Sequence, residues 1–222
     1  MKQRLVRYKH AWVLLYVFIY LPWFFYLEKN VTRDYYVIHT AMDDLIPFNE
    51  YFIIPYLLWF AYVSGTVLFF FFKSKEEYYR LCTYLFTGMT FSLVICTLFH
   101  NGTDLRPMVD PHKNICSWLV FMLHKADTST NIFPSIHVFN SIAVHVSIVR
   151  SAYIKRRRLV SALSLILAVS ICMSTVFLKQ HSVVDVMGGM LMAYGLYPMA
   201  YGSLYASGRR KASRKLTRKA LG

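Results

Sequence analysis

His181 and Asp185 lie four positions apart, and that spacing defines the first chemistry the chain could do. On a helix it stacks both side chains on one face. The carboxylate can then accept the proton of one imidazole nitrogen and leave the other as a lone-pair nucleophile. A second imidazole, His137, closes the run Phe133-Pro134-Ser135-Ile136-His137 and is suited to protonating a departing alkoxide. Arg106, in Leu105-Arg106-Pro107, offers a planar fork matched to phosphate oxygens. Ser135 and the backbone amides of a helix starting there can donate to the same anion. Either histidine alone fits a satisfied core or interfacial residue. The set points to attack on a phosphate ester.

The elements that must position these groups are membrane helices. Of 222 residues, 56% are hydrophobic and 16% charged, which excludes an ordinary soluble domain and a disordered one. Six uncharged stretches, 11–27, 51–72, 81–99, 128–149, 159–178 and 186–208, are each long enough to span, at about 1.5 Å per residue against a hydrocarbon core of roughly 30 Å. A shorter run, 114–123, ends at His124 and Lys125 and is expected as an interfacial helix. The polar segment 28–50, with Asp34, Asp43, Asp44 and Pro47, is expected to pack on the outer side as a cap. The first stretch is not a cleavable signal, because no small-residue cleavage site follows it.

Charge orients the bundle. The segments 1–10, 73–80, 150–158 and 209–222 hold 19 of the 25 basic residues and only two acids, Glu76 and Glu77. The positive-inside rule therefore places both termini in the cytoplasm and puts all three polar clusters on the outer side. The net charge of +14 is then topological, and the tail 209–222 is read as binding lipid headgroups rather than nucleic acid. The expected fold is all-α: one six-span domain over residues 1–208, followed by a basic cytoplasmic tail.

Arg106-Pro107, Pro134-Ser135-Ile136-His137 and the stretch from Ser174 through His181 to Asp185 resemble the three motifs of the type-2 phosphatidic acid phosphatase superfamily, in the same order. The resemblance spans about residues 95 to 190. It implies a metal-independent, cofactor-free membrane phosphatase or phosphotransferase acting on lipid phosphate esters at the outer face of the cell membrane. His181 would form a phosphohistidine, Asp185 would orient it, His137 would donate the proton, and Arg106 and Ser135 would hold the phosphoryl group.

Three positions depart from the usual motifs. Phe99 stands where a Lys is usual seven residues before the Arg, Ile136 stands in place of a Gly, and Thr175 replaces the Arg that follows the Ser. The Ile and the Ser-Thr-aromatic-Leu form of the third motif are similar to the inositol phosphorylceramide synthase branch, which makes lipid phosphotransfer the alternative activity. A non-catalytic lipid carrier or scaffold is a second alternative. With two motif cations missing, Lys179 is a candidate third phosphate-binding residue. In a continuous helix it would lie about 200° around the axis from His181, so it reaches the pocket only if the helix unwinds near Gln180.

Other features carry less. His100, His112 and His124 recur every 12 residues but lack HxxxH or HExxH spacing, so no metal site is expected. His145 reads as a core or supporting residue. Asp104 and Asp110 flank Arg106 and read as ordinary loop charges. Cys82, Cys96 and Cys172 sit in apolar runs as small hydrophobes.

Overall fold

A computed structural model describes residues 8–32, 34–154 and 156–202 of the chain. A 3-10 segment, Lys9–Tyr16, runs into α1 (Val17–Asn30). After β1 (Tyr36–Val37) and the single turn α2 (Ala41–Leu45) come α3 (Ile53–Lys73) and α4 (Lys75–Leu98). β2 (Asn101–Gly102) and α5 (Ile115–Ala126) precede α6 (Ile136–Arg150), α7 (Arg157–Phe177) and α8 (Val183–Tyr201).

The chain is mostly helical, as its uncharged runs require. Among the described residues five helical stretches are long and apolar enough to cross a membrane: Lys9–Asn30, Glu50–Lys73, Lys75–Leu98, Arg157–Phe177 and Val183–Tyr201. Ile115–Ala126 and Ile136–Arg150 are shorter apolar helices. The uncharged stretch 128–149 is therefore not one spanning helix. Residues 128–135 are non-helical, because Asn131 has a positive φ of 58° and Pro134 lacks the N–H a helix interior needs. The 15 residues of α6 rise only about 22 Å. The end of the last uncharged run and the basic tail 209–222 lie outside the described residues, as do most of the N-terminal basic residues.

Short side-chain caps set the corners. Ser74 is the only residue between α3 and α4, and its hydroxyl accepts from the Glu77 amide at 3.3 Å. Asn114 and Ser135 cap α5 and α6 in the same way. α6 is the central helix, packed against α3, α4, α7 and α8. Its Phe139, Ala143 and Val144 are fully buried, joined by Tyr84 and Leu85 of α4 and Ile171 of α7. Several polar groups within this apolar core pair with one another, which offsets the cost of burying them. Tyr62 shares a 2.6 Å hydrogen bond with Ser164, whose hydroxyl also meets Nδ1 of the half-buried His145 at 3.0 Å, so His145 supports the core from its edge. Tyr201 donates to Ser147 at 2.8 Å.

At the opposite end from Lys73, Lys75, Arg150 and Arg157, the polar segments form a layer over the bundle. β1 and β2 pair in parallel, Tyr36 with Asn101 and Val37 with Gly102. α5 sinks Cys116 and Val120 against Ile53, Tyr56 and Leu178. The segment 28–50 is pinned down through Asp43, which is 2% exposed.

Candidate active site

The third motif is a corner between two helices with one residue to spare. α7 closes with a Schellman arrangement: the Gln180 amide donates to Thr175 O at 3.0 Å and the Lys179 amide to Val176 O at 3.1 Å. Lys179 takes the left-handed position at φ 57°, where glycine is usual. α8 opens with a capping box, Ser182 with Asp185. His181 stands between the two caps, so its ring is aimed by both. Its Nδ1 lies 3.5 Å from Asp185 Oδ2, an oxygen that already accepts the Ser182 amide at 2.8 Å. Asp185 is fully buried.

The second motif meets this corner directly. The Ser135 amide donates to Asp185 O at 3.1 Å, which locks the start of α6 to the first turn of α8. The His137 ring then lies 5.6 Å from that of His181, centroid to centroid and edge-on. From α3, Tyr56 stacks on His137 at 4.7 Å and Trp59 lies at 4.5 Å, fixing the plane of the imidazole. Asn101 shapes the approach: its Oδ1 accepts the amides of Ile132 and Phe133 at 2.9 and 2.8 Å.

Arg106 joins the two histidines on one cavity of about 80 Å³, also lined by Tyr56, Glu28, Asp127 and Gln180. The guanidinium donates to Asp127 O at 2.6 Å, to Thr128 O at 2.7 Å and to Asp127 Oδ2 at 3.1 Å. Three of its five N–H groups are thereby used, and Nε, which is buried, has no partner among the described residues. Burial raises the Asp127 carboxyl, an effect the neighbouring Arg106 charge opposes. Across the cavity Glu28 accepts from the Thr128 hydroxyl and, at 3.1 Å, from Asn131.

A model of the PAP2 superfamily matches residues 77–209, a span that holds Arg106 and both histidines. The chain belongs to the PAP2 superfamily. No match to the chain was found among curated proteins or among solved structures. PAP2 proteins are generally phosphatases or related phosphotransferases, and the family together with the apolar helices points to a membrane protein.

Not every expected residue faces the cavity of this PAP2 chain. His181, His137 and Arg106 line it, and Asp185 lies beside His181. Ser135 is fully buried, and its hydroxyl accepts from the Val138 amide at 3.5 Å, so it serves as a cap of α6 and not as part of the cavity wall. Lys179 is placed elsewhere. The helix does unwind ahead of it, but its ammonium donates to the carbonyl of Asp43 and does not line the cavity. The positions of the missing cations are also spoken for, since the Thr175 hydroxyl donates back to Cys172 O at 2.7 Å and Phe99 is exposed.

Several residues around the site were not singled out by spacing. Asp127 and Glu28 are the signal that was available: both are acids at the border of an uncharged run. His124, grouped above with His100 and His112, contacts Gln180 at 3.0 Å, and burial with the Arg106 charge pushes it down to about 4. A neutral His124 can accept the Gln180 amide. Asp104 turns away from Arg106 to His39, at 2.9 Å.

Proposed function

We propose that the chain is a metal-independent phosphatase of lipid phosphate esters, working through a phosphohistidine on His181 at the outer membrane face. The observation that carries this reading is the 5.6 Å approach of His181 and His137 on a cavity they share with Arg106. With Nδ1 turned to Asp185, Nε2 of His181 is the nitrogen left to attack phosphorus. The P–O bond to the lipid alcohol breaks as the N–P bond forms, and His137 delivers a proton to the leaving oxygen. Water then attacks the phosphohistidine, giving up its proton to His137 and releasing phosphate. Arg106 binds the equatorial oxygens, where negative charge must be met in the transition state.

The six-span arrangement with cytoplasmic termini belongs to the same proposal. It treats α6, enclosed by four neighbouring helices, as the short fourth crossing. Supporting it, the cavity lies at the end of the bundle opposite Arg150 and Arg157, the side the positive-inside rule assigns to the cytoplasm.

A lipid phosphotransferase is the second reading, and one observation favours it. Among the described residues the cavity offers a single Lys or Arg side chain, Arg106, already paired with Asp127, whereas a phosphate monoester carries about −1.5 to −2 charges at neutral pH. A phosphodiester carries one negative charge and asks less of Arg106. In that case an acceptor lipid alcohol replaces water in the second step.

One assay separates these outcomes. The purified protein is incubated with phosphatidate, phosphatidylglycerophosphate, a polyprenyl diphosphate and a phosphodiester lipid plus ceramide, each with and without EDTA. Chelator-resistant phosphate release supports the first reading, and headgroup transfer supports the second. Activity lost in EDTA and restored by a divalent ion overturns the metal-independent mechanism.

A further inference from the structure

The corner that carries His181 is buried from Leu178 through Ser182, but its two caps are local to α7 and α8 and do not by themselves tie it to another element. Something must hold it against the recoil of a covalent step, because a nucleophile misplaced by about 1 Å can lose on the order of 100-fold in rate. Asp43, on the polar segment between α1 and α3, is the group in position. Its backbone carbonyl takes the ammonium of Lys179, two residues before the histidine. Its carboxylate takes the Ser182 hydroxyl at 2.7 Å and the Val183 amide at 2.8 Å, one and two residues after it. The same carboxylate is steadied from behind by the amide and hydroxyl of Thr40, at 2.9 and 2.8 Å.

We infer that Asp43 is a positioning residue for the His181 nucleophile, bridging both sides of the corner so that the imidazole is held at a fixed height over the cavity. The inference rests on the phosphohistidine reading and names a residue outside all three motifs. Every contact to the carboxylate comes from a donor, so an ionised acceptor is what the position requires. Burial alone would raise the Asp43 carboxyl, and the hydrogen bonds from Ser182, Val183 and Thr40 outweigh it and hold it below the usual range. The bridge also explains the two odd features of Lys179. Its left-handed backbone and its burial, at 9% exposure, turn the side chain toward the cap instead of toward solvent.

The test is rapid-quench labelling with 32P-dioctanoyl phosphatidate in detergent, comparing the full chain with Asp43→Asn and Asp43→Ala. Asparagine must turn its NH2 toward at least one of the four donors, so it breaks the bridge with little change in shape. Expected is a fall of at least tenfold in the rate of phosphoenzyme formation at saturating substrate, with KM changed less than about threefold. Asp43→Glu should recover part of the rate. A folded Asp43→Ala protein that labels at the wild-type rate overturns the inference, as does a rise in KM with the labelling rate unchanged. If the Asp43 variants do not fold, Ser182→Ala and Lys179→Met each remove one arm; unchanged labelling in both overturns it equally. Failure of the wild-type chain to label on His181 would instead count against the phosphohistidine reading.

Discussion

His181 and Asp185 face each other across 3.5 Å, a separation longer than a hydrogen bond, because the Asp185 oxygen nearest the ring is held by the Ser182 amide. The pair is aligned but not closed. If the ring attacks phosphorus as proposed, the positive charge that develops on it would draw the carboxylate in and strengthen the contact when it is needed.

That geometry sets the first prediction. His181→Asn should abolish both turnover and acid-labile phosphoenzyme. His137→Asn should still accumulate phosphoenzyme from a substrate with a good leaving group, since the attacking nitrogen remains and only the proton donor is lost. Acid-labile label trapped in the His181 variant would reverse the assignment.

Arg106 is held by two carbonyls as well as by the Asp127 carboxylate, so its partners are unequal in importance. Arg106→Lys loses the fork and should lower kcat/KM about 100-fold, roughly 2.7 kcal/mol of transition-state stabilisation. Asp127→Asn keeps both carbonyl contacts and should cost less than about tenfold. Steady-state kinetics on phosphatidate would rank them, and a larger loss in Asp127→Asn would mean that the carboxylate itself takes part.

Helix α8 comes so close to the second motif that a methyl group does not fit. A Cβ on Gly189 would stand 2.7 Å from Ser135 O and 3.0 Å from Val138 Cβ, whereas one on Gly195 meets nothing within 4 Å. Gly189→Ala should therefore destabilise by about 1–3 kcal/mol and displace the Ser135 corner. Gly195→Ala should stay within about 1 kcal/mol of the parent. Thermal unfolding in detergent measures both, and equal midpoints would contradict the close approach.

His39 bridges two acids, Asp44 at 2.8 Å and Asp104 at 2.9 Å, one from each ring nitrogen. Both nitrogens must donate, so the bridge needs the protonated ring, and these hydrogen bonds raise the His39 pKa above its ordinary value. A raised folded pKa contributes stability that is fully present below about 6.5 and is lost as pH climbs through the folded value. The advantage of wild type over His39→Ala in thermal midpoint should be present at pH 6 and shrink in alkaline buffer. An advantage that grows with pH would mean the ring is bound neutral.

Helices and motif order were legible in the sequence because long uncharged runs have few alternatives in a membrane. The start of the fourth run was not. Thr128, Thr130 and Asn131 are uncharged, yet their side chains pair with Glu28 and with each other instead of continuing a helix. Hydropathy counts charge and cannot see such a partner about 100 residues away. The His181–Asp185 spacing predicts two positions on one helix face, whereas His181 precedes the Ser182 cap and its ring still comes within 3.5 Å of the carboxylate. The unwinding ahead of His181 is the condition stated above for moving Lys179. Where that side chain then went was fixed by Asp43, a contact across 136 residues that no local pattern encodes.

The corner of caps also acts as a ruler. Thr175 must accept from Gln180 for α7 to close, and Ser182 must reach Asp185 for α8 to open, which leaves room for one residue. Adding or deleting a single position between Gln180 and Ser182 would change the azimuth of α8 by about 100° relative to the ring or break a cap outright. This stretch should therefore tolerate changes of residue far better than changes of length, whereas the exposed turn around residues 110–112, beyond Arg106, can absorb insertions without altering that register.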